Sequence, residues 1–161
     1  MLATILQTTA YILSADRESV LLIHRNLDAD DVHYGKYLGI GGHVERDEDV
    51  VTCAQREIVE ETGLTVTDMT MRGSVTWTAF GADRRDITCF VFRVDGYTGE
   101  PLTANEEGTL KWVRRSALRD IPMWESDHQW LPMVFDEDPR QFHGIMPYEG
   151  GRMLSWAYQR I

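Results

Sequence analysis

The sequence predicts an α/β fold, a mixed sheet with helices on both faces. Three observations predict it. Apolar segments of strand length alternate irregularly with helical ones, as they do when helices pack on a sheet. One strongly patterned helix runs from Asp49 to Thr62 and stops at Gly63. The chain of 161 residues suits one compact domain with one core, spanning 1–161.

Thr4 to Leu13 reads as the first strand. The apolar stretch from Met1 to Leu13 lacks a basic start and is broken by Gln7, Thr8 and Thr9, so it does not read as a signal peptide. Ser14 to Glu18 is a turn, and Ser19 to His24 a second strand. Asn26 to Lys36 is polar and loop-like, and Tyr37 to Ile40 forms a short strand before Gly41 and Gly42. In the helix that follows, Val51, Ala54 and Ile58 form a stripe to dock on the sheet. Arg72 to Phe80 and Arg85 to Val94 are two strands around the turn Gly81 to Arg84. Thr109 to Val113 is another strand, and Ser116 caps a brief helix through Arg119. Ser126 or Asp127 caps a further helix that Pro132 interrupts. Gln141 to Pro147 and Arg152 to Tyr158 form a hairpin around Gly150 and Gly151. Trp77, Trp112 and Trp156 read as packing residues.

Composition narrows the function. A net charge of −10 disfavours a nucleic-acid polymer as partner. No apolar run reaches the length of a membrane span, so no membrane partner is expected. Cys53 and Cys89 are the only cysteines, too few for a disulfide framework or a zinc site, and they read as core thiols of a cytoplasmic protein.

The helix carries the chemistry. At 3.6 residues per turn Glu57, Glu60 and Glu61 fall on one face. Like charges so spaced cost a few tenths of a kcal/mol per pair, roughly, and a bound cation reverses that repulsion. Oxygen-only donors select a hard ion, Mg²⁺ or alternatively Mn²⁺. Around the glutamates a longer pattern is in register: Gly42, Glu48, Arg56 and Glu57, Glu60 and Glu61, Gly63 and Leu64.

This pattern, spanning 42–64, resembles the Nudix box with every fixed position kept. The resemblance implies a Nudix α/β/α sandwich that holds divalent metal and hydrolyses a nucleoside diphosphate linked to another group. It implies metal ligation by Glu57, Glu60 and Glu61, with the carbonyl of Gly41 as a further ligand. Arg56 orients the glutamates, together with Glu48. The proton of the attacking water goes to Glu57 or Glu107, and the sequence does not choose between them. Glu107 lies in a segment, Glu107 to Trp112, that looks like the family segment whose glutamate approaches the metals from outside the helix, which makes it a further metal ligand. A turn glutamate before the strand is the structural alternative, and Glu106 is its competitor.

Ile121 to Asp127, followed by Trp130 to Pro132, resembles the MutT-type branch that hydrolyses oxidised purine nucleoside triphosphates. That resemblance places Trp124 under the base and Asp127 at the purine edge. An aromatic ring binds any base, whereas a carboxylate discriminates among them. Trp124 as core and Asp127 as a helix cap are the structural alternatives. Ser126 stands where the human-type enzymes have an aspartate and Leu38 where they have an asparagine, which leaves the base open. Arg25 and Lys36 are candidates for the phosphates, and His43 has no assigned role. The leading expectation is Mg²⁺-dependent cleavage of a purine (d)NTP, such as 8-oxo-dGTP, to the monophosphate and pyrophosphate. A nucleotide sugar or dinucleoside polyphosphate is the alternative substrate, and a non-catalytic nucleotide-binding module the alternative class.

Overall fold

The computed structural model describes residues 4–161; Met1 to Ala3, the start of the apolar N-terminal stretch, lie outside the described residues. The strands are β1 (Thr4–Leu13), β2 (Ser19–His24), β3 (Tyr37–Leu38), β4 (Thr65–Phe80), β5 (Arg85–Thr98), β6 (Thr109–Arg114), β7 (Phe142–Glu149), β8 (Arg152–Met153) and β9 (Ala157–Arg160). The α-helices are α1 (Val50–Thr62) and α2 (Glu125–Phe135), and a single 3₁₀ turn covers Arg115–Ala117.

The strands form one curled mixed sheet in the order β3-β2-β1-β5-β4-β7-β8. β6 adds to β2, and β9 adds to β7. The pairs β1–β5 and β4–β7 are parallel, whereas β1–β2, β2–β6 and β4–β5 are antiparallel.

Alternation along the central strands builds two cores. Ala10 and Ile12 of β1, Leu21 and Ile23 of β2, and Phe92 and Val94 of β5 pack with Ala54 and Ile58 of α1. Their neighbours Tyr11, Leu13, Val20, Leu22, Cys89 and Val91 pack with Trp130, Leu131 and Val134 of α2. Side chains on a strand point alternately to opposite faces, so strands buried on both sides need a helix on each.

Several boundaries differ from expectation. β4 and β5 extend to Thr65 and Thr98, because the polar residues at their outer ends still pair across a ladder bulged near Asp68 and Gly73. Val51 is exposed; the docking stripe starts at Val50 and includes Cys53. Neither Ser126 nor Asp127 caps α2: its N-cap position is Trp124, with no side-chain cap, and both polar residues are buried in the first turn. Pro132 lies inside α2 without ending it. Ser116 caps no helix, since only the 3₁₀ turn forms there. β7 turns through Gly150 and Gly151 into the two-residue β8, and the expected second arm of the hairpin breaks before β9 returns to β7. Trp77 is buried, but Trp112 is 40% exposed at its side of the sheet, stacked on Tyr97.

Candidate active site

Local chemistry sets α1. Asp49 caps it by accepting from the Val51 and Thr52 amides at 2.8 and 3.0 Å. Gly63 ends it in the left-handed conformation, φ 75°, where its amide bonds Val59. The loop before the helix is pressed onto β1. A side chain at Gly41 would overlap the Thr8 carbonyl, and one at Gly42 would overlap the Glu57 carboxylate. At Gly41, against backbone, glycine is a requirement of close approach, whereas at Gly42 a side chain would displace the Glu57 carboxylate.

Arg56 organises the acidic end. Its Nε and Nη2 donate to the two oxygens of Glu48 at 2.8 and 2.9 Å. Its Nη1 donates to Glu57 at 2.7 Å and Glu60 at 3.2 Å, and Nη2 also reaches the His43 carbonyl at 3.3 Å. The hydrogen bonds from Arg56 hold the Glu48 carboxyl down at about 2, and those to Glu48 push the guanidinium up. One arginine thus fixes three carboxylates and the loop backbone.

The three helix glutamates do not share one environment. Glu60 is mostly in solvent, with its side chain 58% exposed. Glu57 is tucked under Gly42. Glu61 is buried at the end of the apolar stripe, one turn beyond Ile58. Burial, then the charges of Glu107 and Glu57, push the Glu61 carboxyl up to about 9. The nearby Gly41 amide opposes this shift, but Glu61 Oε2 has no partner. Among the described residues no three His, Cys, Asp or Glu side chains are already gathered as a cation cluster.

Glu107 reaches this end from the β6 side. Asn105 fastens it: the side-chain amide donates to the Glu61 carbonyl at 3.0 Å, while Oδ1 accepts from the Glu107 and Gly108 amides at 2.8 and 3.1 Å. Gly108 lets the turn lie against the His24 carbonyl of β2. Arg25 pairs with Glu107 and with Asp31, at 2.7 Å to the latter.

A cleft of about 410 Å³ joins this end to the helix α2 side. Gly41, Gly42, Arg25 and Glu107 line one part of it, and Trp124, Ser126, Asp127, Trp77 and Phe80 line the other. Asp127 is buried, and burial pushes its carboxyl up to about 7 despite the Ser126 hydroxyl, 3.3 Å from Oδ1. Lys36 does not reach into the acidic end; its ammonium lies over the Trp124 ring, 4.3 Å from the centroid. A larger cavity of about 620 Å³, behind α2 and lined by Arg115, Arg119, His128 and Pro132, contains none of these groups.

Sequence reasoning missed His33, Asn105 and the cleft-lining positions Gln7, Thr9, Phe80 and Trp77. Asn105, two residues before Glu107, was the one with a local signal, since asparagine bonds backbone amides two residues on. The others depend on contacts between distant segments.

A two-faced α/β sheet thus carries on α1 a set of carboxylates ordered by one arginine, and beside them a cleft of small-molecule size. The chain belongs to the Nudix family: the NUDIX domain model matches residues 5–134. It is a Nudix hydrolase, distantly homologous to oxidised purine nucleoside triphosphate hydrolases. It is similar to the "Oxidized purine nucleoside triphosphate hydrolase" of Danio rerio, 30% identical over 116 residues, covering 72% of each chain. The protein of the same name from Mus musculus is 26% identical over 128 residues, 79% of this chain and 80% of that one. The fold is like that of a MutT protein from Bacillus halodurans, with TM-score 0.81, 23% identity and coverage of 96% and 97%.

Proposed function

We propose that this protein hydrolyses a purine nucleoside triphosphate, in particular an oxidised one such as 8-oxo-dGTP, to the monophosphate and pyrophosphate, with Mg²⁺ or alternatively Mn²⁺. One observation carries the reading: a single cleft runs from Gly41, Gly42 and Glu107, beside the α1 glutamates, to Trp124 and Asp127. The relatives' names favour the same substrate class.

The residues fit a divalent cation. The unpartnered Glu61 oxygen and its high protonation point are what a buried carboxylate has when its natural partner is a cation. Glu57, Glu60, Glu61 and Glu107, with the carbonyl of Gly41, would hold it. When bound, the ion would offset phosphate charge and make water a better nucleophile.

The chain's own groups do the rest. Arg56 keeps Glu57 and Glu60 oriented and does not itself contact substrate. Glu107 is more open to water than Glu57, with side-chain exposures of 43% and 14%, and is our choice of proton acceptor. Arg25, beside Glu107, is the cation nearest the phosphates, whereas Lys36 serves the base end. Trp124 stacks on the base, and Asp127 accepts from purine N–H donors when ionised.

The reading is tested by comparing kcat/KM across oxidised and normal purine triphosphates, pyrimidine triphosphates, ADP-ribose and dinucleoside polyphosphates. Oxidised purine triphosphates are expected to lead. Exclusive cleavage of ADP-ribose or dinucleoside polyphosphates would overturn the substrate assignment.

A further inference from the structure

The segment between β2 and β3 is fastened over the base end of the cleft, and it brings there His33, a side chain that the reaction itself leaves unused. Asp31 accepts from Arg25 Nε at 2.7 Å and from the His33 amide at 3.0 Å. The Lys36 amide closes a turn onto the His33 carbonyl at 2.9 Å, and the Gly35 amide bonds the Arg25 carbonyl at 2.7 Å. These bonds set down two side chains on Trp124. The indole Nε1–H donates to His33 Nδ1 at 2.9 Å, and the two rings meet edge to face, 5.7 Å apart at 90°. Lys36 lies over one face of the ring. Phe80 closes a further side at 78°.

An indole nitrogen only donates. The bond therefore requires His33 Nδ1 to be bare, with the ring neutral and its proton on Nε2. Burial acts in the same direction, holding the His33 ring below its ordinary value against the charge of Asp31. Removing the acceptor would leave a half-buried N–H without a partner, and the indole would turn to find one. A stacking platform whose plane is free to turn binds a flat base less well, because the ordering cost then falls on the binding step.

We propose that His33 is a positioning residue for base recognition: it accepts the Trp124 indole hydrogen and so fixes the plane on which the purine stacks. This rests on the reading of Trp124 as the base platform. His33 touches no reacting atom, so its loss acts on substrate affinity and spares the chemical step. Asparagine, whose Oδ1 stands close to the place of Nδ1, can replace it; leucine cannot.

The test uses the full chain with Mg²⁺ and dGTP, in wild type, His33→Leu, His33→Asn and Trp124→Leu. Steady-state kinetics are paired with the ¹⁵N–¹H indole resonances of the metal-free protein, the Trp124 signal being the one missing in Trp124→Leu. His33→Leu is expected to shift that signal and raise KM roughly fivefold to tenfold, the scale of one neutral hydrogen bond, with kcat within about twofold. His33→Asn is expected to restore KM. An unmoved indole signal in His33→Leu overturns the proposal, as does a moved signal with unchanged KM. Equal losses in kcat and kcat/KM without rescue by asparagine overturn it as well. If Trp124→Leu leaves KM unchanged, the base-platform reading fails and the role of His33 falls with it. That outcome is distinguishable because it appears in the Trp124 variant alone.

Discussion

Glu61→Gln separates the metal reading from a purely structural role for the acidic end. Burial and the charges of Glu107 and Glu57 raise the folded carboxyl from 4.5 to about 9. In the unfolded chain the group returns to its ordinary value. Between those two values the metal-free folded protein keeps a proton that the unfolded chain has released. Stability from this group is therefore full below the unfolded value and is lost as pH rises toward the folded one, at about 1.4 kcal/mol per pH unit. By about pH 7 the loss amounts to roughly 3 kcal/mol, a large share of a typical folding free energy. Glutamine keeps the shape without the proton. Denaturant unfolding of chelator-treated protein should show wild type falling behind Glu61→Gln by about this amount between about pH 5 and about pH 7. Mg²⁺ should then reverse the order, stabilising wild type by about 2.7 kcal/mol at a hundredfold excess over its Kd and the variant little. A difference between the two proteins that is flat with pH, or equal stabilisation by Mg²⁺, would refute the reasoning.

Three further predictions follow from the same geometry. Asp127, raised to about 7 by burial, should make purine affinity rise as pH increases through that value and the carboxylate ionises; Asp127→Asn should flatten this profile and weaken binding at high pH by about tenfold or more, read by calorimetric titration. Arg56→Lys removes the two-pronged bond to Glu48 and the link to the His43 carbonyl; kcat should fall by about ten- to a hundredfold with the circular dichroism spectrum unchanged. Gly42→Ala places a methyl against the Glu57 carboxylate; displacing that group should lower kcat by about a hundredfold, with dGTP affinity measured by titration held within about twofold.

What the sequence disclosed was mostly local. The Gly63 stop and the Arg56–Glu48 pairing lie within one loop and one helix, the first reported by residue type and the second by the resemblance to the box, whereas Asp49, read as the first helical residue, is the cap before it. The central strands were legible because alternation is strong where both faces are buried. The environments of the glutamates were not legible. Spacing puts Glu57, Glu60 and Glu61 on one side of a helix, but the sheet beneath decides that Glu61 is buried and Glu60 is not. Likewise Ser126 and Asp127 carry the residue types of a cap, yet packing of α2 on the sheet buries them in the cleft instead. His33 and Trp124 are 91 positions apart, and Lys36 meets Trp124 only because the β2–β3 segment folds across it. No periodicity records a contact of that kind.

The central claim is that the acidic end and the Trp124 end of the cleft serve one reaction on one nucleotide. Following a purine nucleoside triphosphate with Mg²⁺ by ³¹P nuclear magnetic resonance tests it most directly. The account predicts the monophosphate and pyrophosphate appearing together in equal amounts, with both lost in Glu61→Gln. Orthophosphate as the first product, or turnover unaffected by that change, would contradict it.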